Sequence, residues 1–75
     1  MDALSTRIAD RIRTAVEEAR ITHAEFAQVL DVSETTIGRR LRGERPYEVT
    51  EIVKAVEFLN IDIGDLFGTS QTLAA

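Results

Sequence analysis

The residues best equipped for chemistry in this chain are four arginines, Arg39, Arg40, Arg42 and Arg45, crowded between Ser33 and Tyr47 with only Glu34 and Glu44 to offset them. A guanidinium offers its donors in a planar fork that fits a phosphate or the O6/N7 edge of guanine. Eight of the nine basic residues are arginine, a preference that suits such contacts but that GC-rich coding also produces. The segment carries a local excess of two positive charges while the remainder holds five basic and eleven acidic residues, so a basic stretch sits in a molecule of net charge −4. Other chemistries find little support. Cysteine is absent and His23 is the only histidine, which removes disulfides, thiolate metal sites and thiol nucleophiles and leaves no multi-histidine site or Ser-His-Asp centre within one chain. Asp62 with Asp65, and Glu48 with Glu51, are paired carboxylates, but acids at helix N-termini account for them more simply than catalysis or metal binding. No enzymatic activity, cofactor or metal is expected.

Seventy-five residues and 8.3 kDa suffice for one small domain. Folding at this size hides only about 60% of the unfolded chain's surface, so the core is marginal and a partner subunit would help it. No apolar run approaches the roughly 18–20 residues of a membrane span, and Met1-Asp2-Ala3 opens nothing like a secretory signal. A soluble, cytoplasmic protein with no membrane contact is expected.

The elements that must position the arginines can be read from periodicity and caps. Asp2 caps a first helix whose apolar stripe is Leu4, Ile8, Ile12, Ala15, Val16 and Ala19, ending near Arg20. Thr22-His23-Ala24-Glu25 has the form of a capping box and opens a second helix, with Ile21 stapled onto Phe26 and Phe26, Ala27, Val29 and Leu30 turned inward. Ser33 caps a third helix that Gly43 stops, anchored only by Ile37 and Leu41; its threonines and Gly38 make it a poor helix in isolation. After the Glu44-Arg45-Pro46 loop a fourth helix spans about Tyr47 to Leu59, with Val49, Ile52, Val53, Val56 and Leu59 on its buried face and Phe58 opposite. Asn60 reads as a left-handed C-cap, and Asp62 caps a last short turn through Phe67. The expected architecture is all-α, five helices around one core, with a domain over residues 1–68 and a flexible tail over 69–75.

Two short helices joined by a tight turn, the second carrying a basic face, form the arrangement that places a helix in a DNA major groove. Residues Thr22 to Phe67 resemble the phage-repressor and Cro-like (lambda-repressor-like, XRE-type) helix-turn-helix family. The resemblance rests on Thr22-x-x-Glu25-Phe26-Ala27, Val32-Ser33 at the turn, Thr36-Ile37-Gly38-Arg39, Gly43, Pro46, and Leu59-Asn60-Ile61 followed by Asp65-Leu66-Phe67. It places the motif at about residues 22–42. Two positions depart from the pattern: Asp31 stands where the family has a turn glycine, and Arg40 where it has an apolar side chain.

By this resemblance Ser33, Glu34, Thr35 and Arg39 face the bases. Arg39 can span guanine O6 and N7, Glu34 can accept from a cytosine amino group, and Thr35 can touch a thymine methyl. His23 stands where the family has a phosphate-binding glutamine, and Thr36, Arg40, Arg42 and Arg45 suit phosphates. Each has a plainer alternative. The arginines could be a solvated surface balanced by Glu44, Glu48 and Glu51; His23 could be an exposed cap residue, Ser33 an N-cap alone, and Glu34 a partner of the helix dipole. The resemblance implies a sequence-specific regulator of the Cro or small-repressor type, binding double-stranded DNA at a palindromic operator as a homodimer in a bacterial cell or phage-infected host, with no room for an effector-binding domain. Phe58, Ile63, Phe67 and Leu73 would supply the dimer contact. The alternative is an antitoxin-like module that masks a toxin and regulates its own operon.

Overall fold

The computed structural model describes residues 3–67 of the chain. Five helices follow one another: α1 (Ala3–Ala19), α2 (His23–Leu30), α3 (Glu34–Leu41), α4 (Val49–Leu59) and α5 (Ile63–Phe67). α1 is the pillar, packing against α3, α4 and α5, while α2 packs against α3 and α4. Ile8, Ile12 and Val16 of α1, Phe26 and Leu30 of α2, Ile37 and Leu41 of α3, Ala55, Ile61 and Leu66 are buried together. Among the described residues no helix is long and apolar enough to cross a membrane. The expected Asp2 cap, the tail over 69–75 and Leu73 lie outside the described residues.

Each of the first four helices is stopped by one residue in the left-handed region: Arg20 (φ 58°), Asp31 (φ 59°), Gly43 (φ 79°) and Asn60 (φ 56°). In each case the following amide reaches back to the last turn. Ile21 donates to Val16, Val32 to Ala27, Glu44 to Arg39 and Ile61 to Val56, at 3.1, 3.0, 2.9 and 3.1 Å. This is the Schellman closure, which satisfies carbonyls the helix leaves bare and turns the chain sharply. At three of the four ends the reaching residue, Ile21, Val32 or Ile61, is apolar and packs into or against the core. The stops expected at Gly43 and Asn60 are therefore present, and Asp31 adopts the left-handed conformation of the turn glycine it stands in for. Arg20 carries no sequence signal for a left-handed conformation, since arginine bears the full Cβ penalty there.

Helix starts follow the same local logic. Thr22 Oγ1 accepts from the Glu25 amide at 3.1 Å while Glu25 Oε1 accepts from the Thr22 amide at 2.9 Å, completing the capping box. These bonds hold the Glu25 carboxyl below the usual glutamate range, because the ionised form is the better acceptor. Ser33 Oγ accepts from the Thr36 amide at 3.1 Å, and Asp62 Oδ2 from the Asp65 amide at 2.9 Å. Arg11 then ties α1 to α5 through Asp65, Nε to Oδ2 at 2.7 Å.

The structure corrects the expected faces of two helices. In α1, Leu4 and Ala19 are exposed and Ala9 is buried in their place. α4 begins at Val49, two residues later than expected, with Glu48 as its cap residue and Tyr47 buried in the preceding loop. Its inward side is Glu51 and Ala55, flanked by Ile52, Val56 and Leu59, whereas Val49 and Val53 are 77% and 48% exposed. The helix is rolled away from its valine stripe because a carboxylate, Glu51, takes a buried position that hydrophobicity alone would not assign to it. Phe58, expected to lie outside the core, is indeed 47% exposed.

Two substitutions test these local claims. Arg20→Gly removes a side chain from a left-handed position and should raise the unfolding free energy by about 0.5–1 kcal/mol, the strain relieved exceeding the extra chain entropy of glycine; denaturant unfolding that leaves the midpoint unchanged or lowered contradicts it. The Tyr47 hydroxyl is buried without a hydrogen-bond partner among the described residues, and burial, reinforced by the nearby Glu51 charge, pushes its pKa well above the usual tyrosine value. Tyr47→Phe should therefore be neutral or stabilising by up to about 1 kcal/mol, whereas a loss of stability would mean that the hydroxyl has a partner.

Candidate nucleic-acid interface

α3 is eight residues long, with two threonines and a glycine, a composition that would not stay helical in water. It is held from one side by Ile37 and Leu41, one turn apart and both buried. The opposite side is thereby aimed outward. Thr35 and Arg39, also one turn apart, are exposed, with Glu34 and the cap residue Ser33 exposed at the N-terminal end. The four residues expected to read bases thus lie along the first turn and outer face of one helix.

Ser33 is first of all a cap. Its hydroxyl accepts from the Thr36 amide and donates to Thr36 Oγ1 at 3.0 Å. That bond fixes the Thr36 side chain and leaves the Thr36 hydroxyl proton free to donate elsewhere. His23 is the first residue of α2 and is exposed, beside an N-terminus whose backbone amides favour an anion.

The four arginines part company. Arg40 does not point to solvent: Nε donates to Glu51 Oε1 at 2.8 Å and Nη2 to Glu51 Oε2 at 3.2 Å, with side chains only 15% and 6% exposed. Arg40, expected at a phosphate, is thus engaged in an internal ion pair. It occupies the apolar position of the motif because Glu51 meets it there, and the pairing raises its pKa further above the usual arginine value. Arg42 is exposed but engaged, Nε to Glu44 Oε2 at 2.6 Å, and this pairing holds the Glu44 carboxyl below its ordinary range. The Arg42 guanidinium also lies over Gly38, where a Cβ would come within 3.1 Å of Nη1. Arg39 and Arg45 are exposed and make no ion pair among the described residues. Of the local positive charge in the sequence, these two are immediately available to a polyanion, and Arg42 becomes so if Glu44 releases it.

Sequence reasoning missed Glu51 and Tyr47 as parts of this region. Glu51 Oε1 accepts from the Glu48 amide at 3.1 Å as well as from Arg40, so one carboxylate caps α4 and clamps α3. The signal was present in position: Arg40 follows Ile37 by three residues and so lies on the flank of the inward face, where an unpaired charge would be costly.

Comparison with curated proteins and with solved structures gave no match. The model of the helix-turn-helix family matches residues 12–66, a span that includes both motif helices, the clamp and the C-terminal part of α1. The all-helical fold and the α2–turn–α3 geometry agree with it. The chain belongs to the helix-turn-helix family of the lambda-repressor and Cro-like type, a family of DNA-binding transcription regulators.

Proposed function

We propose that this protein is a sequence-specific regulator of the Cro or small-repressor type that lays α3 in the major groove of a palindromic operator. The observation that carries this reading is the outer face of α3, where Thr35 and Arg39 stand exposed on a helix whose other side is locked into the core. Arg39 is the guanine reader, Thr35 the contact to a thymine methyl or base edge, and Glu34 the acceptor for a cytosine amino group. Ser33 reads a base edge only with the lone pair its capping role leaves over. His23, Thr36, Arg42 and Arg45 contact phosphates on either side and set the register.

The protein acts as a homodimer, with each subunit reading one half-site. Phe58 and Ile63, 47% and 53% exposed, stand on either side of the Asn60 turn between α4 and α5, and Phe67 is partly buried nearby in sequence. An isologous contact through these residues would set the two α3 helices about 34 Å apart, one turn of DNA.

Arg39→Ala should cost about 1–3 kcal/mol on the operator and little on random DNA, since a bidentate guanine contact carries sequence information and a phosphate contact does not; equal losses on both would reassign Arg39 to the backbone. For the dimer, Phe58→Asp should leave the subunit helical but weaken self-association and operator binding together, measured by sedimentation and by titration with operator. Val53→Asp, on the other exposed flank of α4, should leave both intact, and the reverse pattern would move the interface to the valine face.

A further inference from the structure

The pair Arg40–Glu51 joins two helices whose backbones do not pack closely against each other. α3 leans on α1 and α2, and α4 leans on the same two helices, but α3 and α4 are not among the closely packed pairs. Between them runs a two-point fork, Nε to Oε1 at 2.8 Å and Nη2 to Oε2 at 3.2 Å. The Glu51 end cannot swing, because Oε1 also accepts the Glu48 amide at the start of α4. Arg40 is next in sequence to Arg39, which stands on the exposed face of the same turn.

We infer that Arg40 and Glu51 are positioning residues for base recognition: their buried ion pair fixes the roll and tilt of α3, and thereby the reach of Thr35 and Arg39, without either residue touching DNA. The inference rests on the DNA-reading role proposed above and goes beyond it.

Apolar packing of Ile37 and Leu41 holds α3 inward but tolerates a small rotation about its own axis, since dispersion contacts are many, weak and non-directional. A bidentate guanidinium–carboxylate pair tolerates much less, because both hydrogen bonds lengthen or bend when either helix turns. The surroundings sharpen the constraint. Tyr47 is buried beside the pair, and a site screened from water makes a stretched or broken ion bond more costly. Hydrogen bonds to base edges fail over displacements of about an ångström, whereas attraction to phosphates falls off over roughly a Debye length of 8–10 Å. Loss of the fork should therefore remove sequence discrimination while general affinity for DNA persists.

The test uses the full chain, the single variant Glu51→Gln and the charge-neutral double variant Arg40→Leu/Glu51→Leu. The double variant supplies the apolar filling that commonly replaces a buried ion pair without loss of stability, and it leaves net charge unchanged. Duplexes enriched by the wild type from a random pool provide the specific site, and a scrambled duplex the reference, both titrated at one fixed salt concentration. Thermal unfolding is measured in parallel. The double variant should unfold near the wild-type temperature and bind the scrambled duplex as the wild type does, while the ratio of specific to scrambled affinity falls about tenfold. Glu51→Gln should move the ratio in the same direction, and it decides the matter alone if the double variant is unfolded at the temperature of measurement. A ratio within about twofold of wild type in a folded variant overturns the inference and leaves the pair a stabilising contact only. A wild type that enriches no sequence overturns the DNA-reading role itself, and this inference with it, a result distinct from an unchanged ratio.

Discussion

An eight-residue helix containing two threonines and a glycine does not persist on its own propensity, so the placement of α3 depends on what grips it from behind. Three grips exist. Ile37 and Leu41 enter the common core, the Schellman closure at Gly43 ends the helix and turns the chain, and Arg40 is held by Glu51. The last is the unusual one. A charge at a semi-buried position costs free energy unless it is paired in good geometry, and removing one partner leaves the other uncompensated. The roll of α4, the exposure of its valines and the burial of Tyr47 all follow from where Glu51 must be.

The same interaction reorganises the electrostatics. An acidic chain that presents a local run of arginines appears at first to dedicate all of them to a polyanion. One is consumed internally by Glu51 and another is clasped by Glu44, leaving Arg39 and Arg45 without carboxylate partners among the described residues. Such a surface favours few, well-placed contacts over diffuse attraction, because the remaining molecule repels phosphates at longer range.

Most of the fold was legible because its punctuation is local. Thr22 with Glu25, Ser33, Asp31, Gly43, Asn60 and Asp62 each act on amides or carbonyls within a few residues, and such relations survive in a linear reading. Errors arose where a residue answers to something distant. Arg40 and Glu51 are eleven residues apart on different helices, and a charged side chain reads as solvated unless its partner is known, even where spacing puts it on the inward flank, as with Arg40; the valine stripe of α4 then captured the inward face on hydrophobicity alone. Arg20 was missed for a different reason: the left-handed turn is imposed by the tertiary demand to bring Ile21 back to the core, against the preference of the residue itself. In the candidate site, the exposure of the outward face of α3 was legible, while the pairing of Arg40 and Arg42 was not, since it depends on which carboxylates fold back to meet them.

The account's central claim is that the outer face of α3 is the surface that meets DNA. Amide chemical-shift mapping of the isotopically labelled protein, titrated with a duplex it has enriched from a random pool, tests that claim most directly. The largest changes should fall on Ser33 to Arg39 and at His23, with smaller ones at Arg42 and Arg45, while the amides of Arg11 and Asp65, joined on the α1–α5 side, stay in place. Changes centred on α1 and α5, with α3 unmoved at saturation, would contradict it.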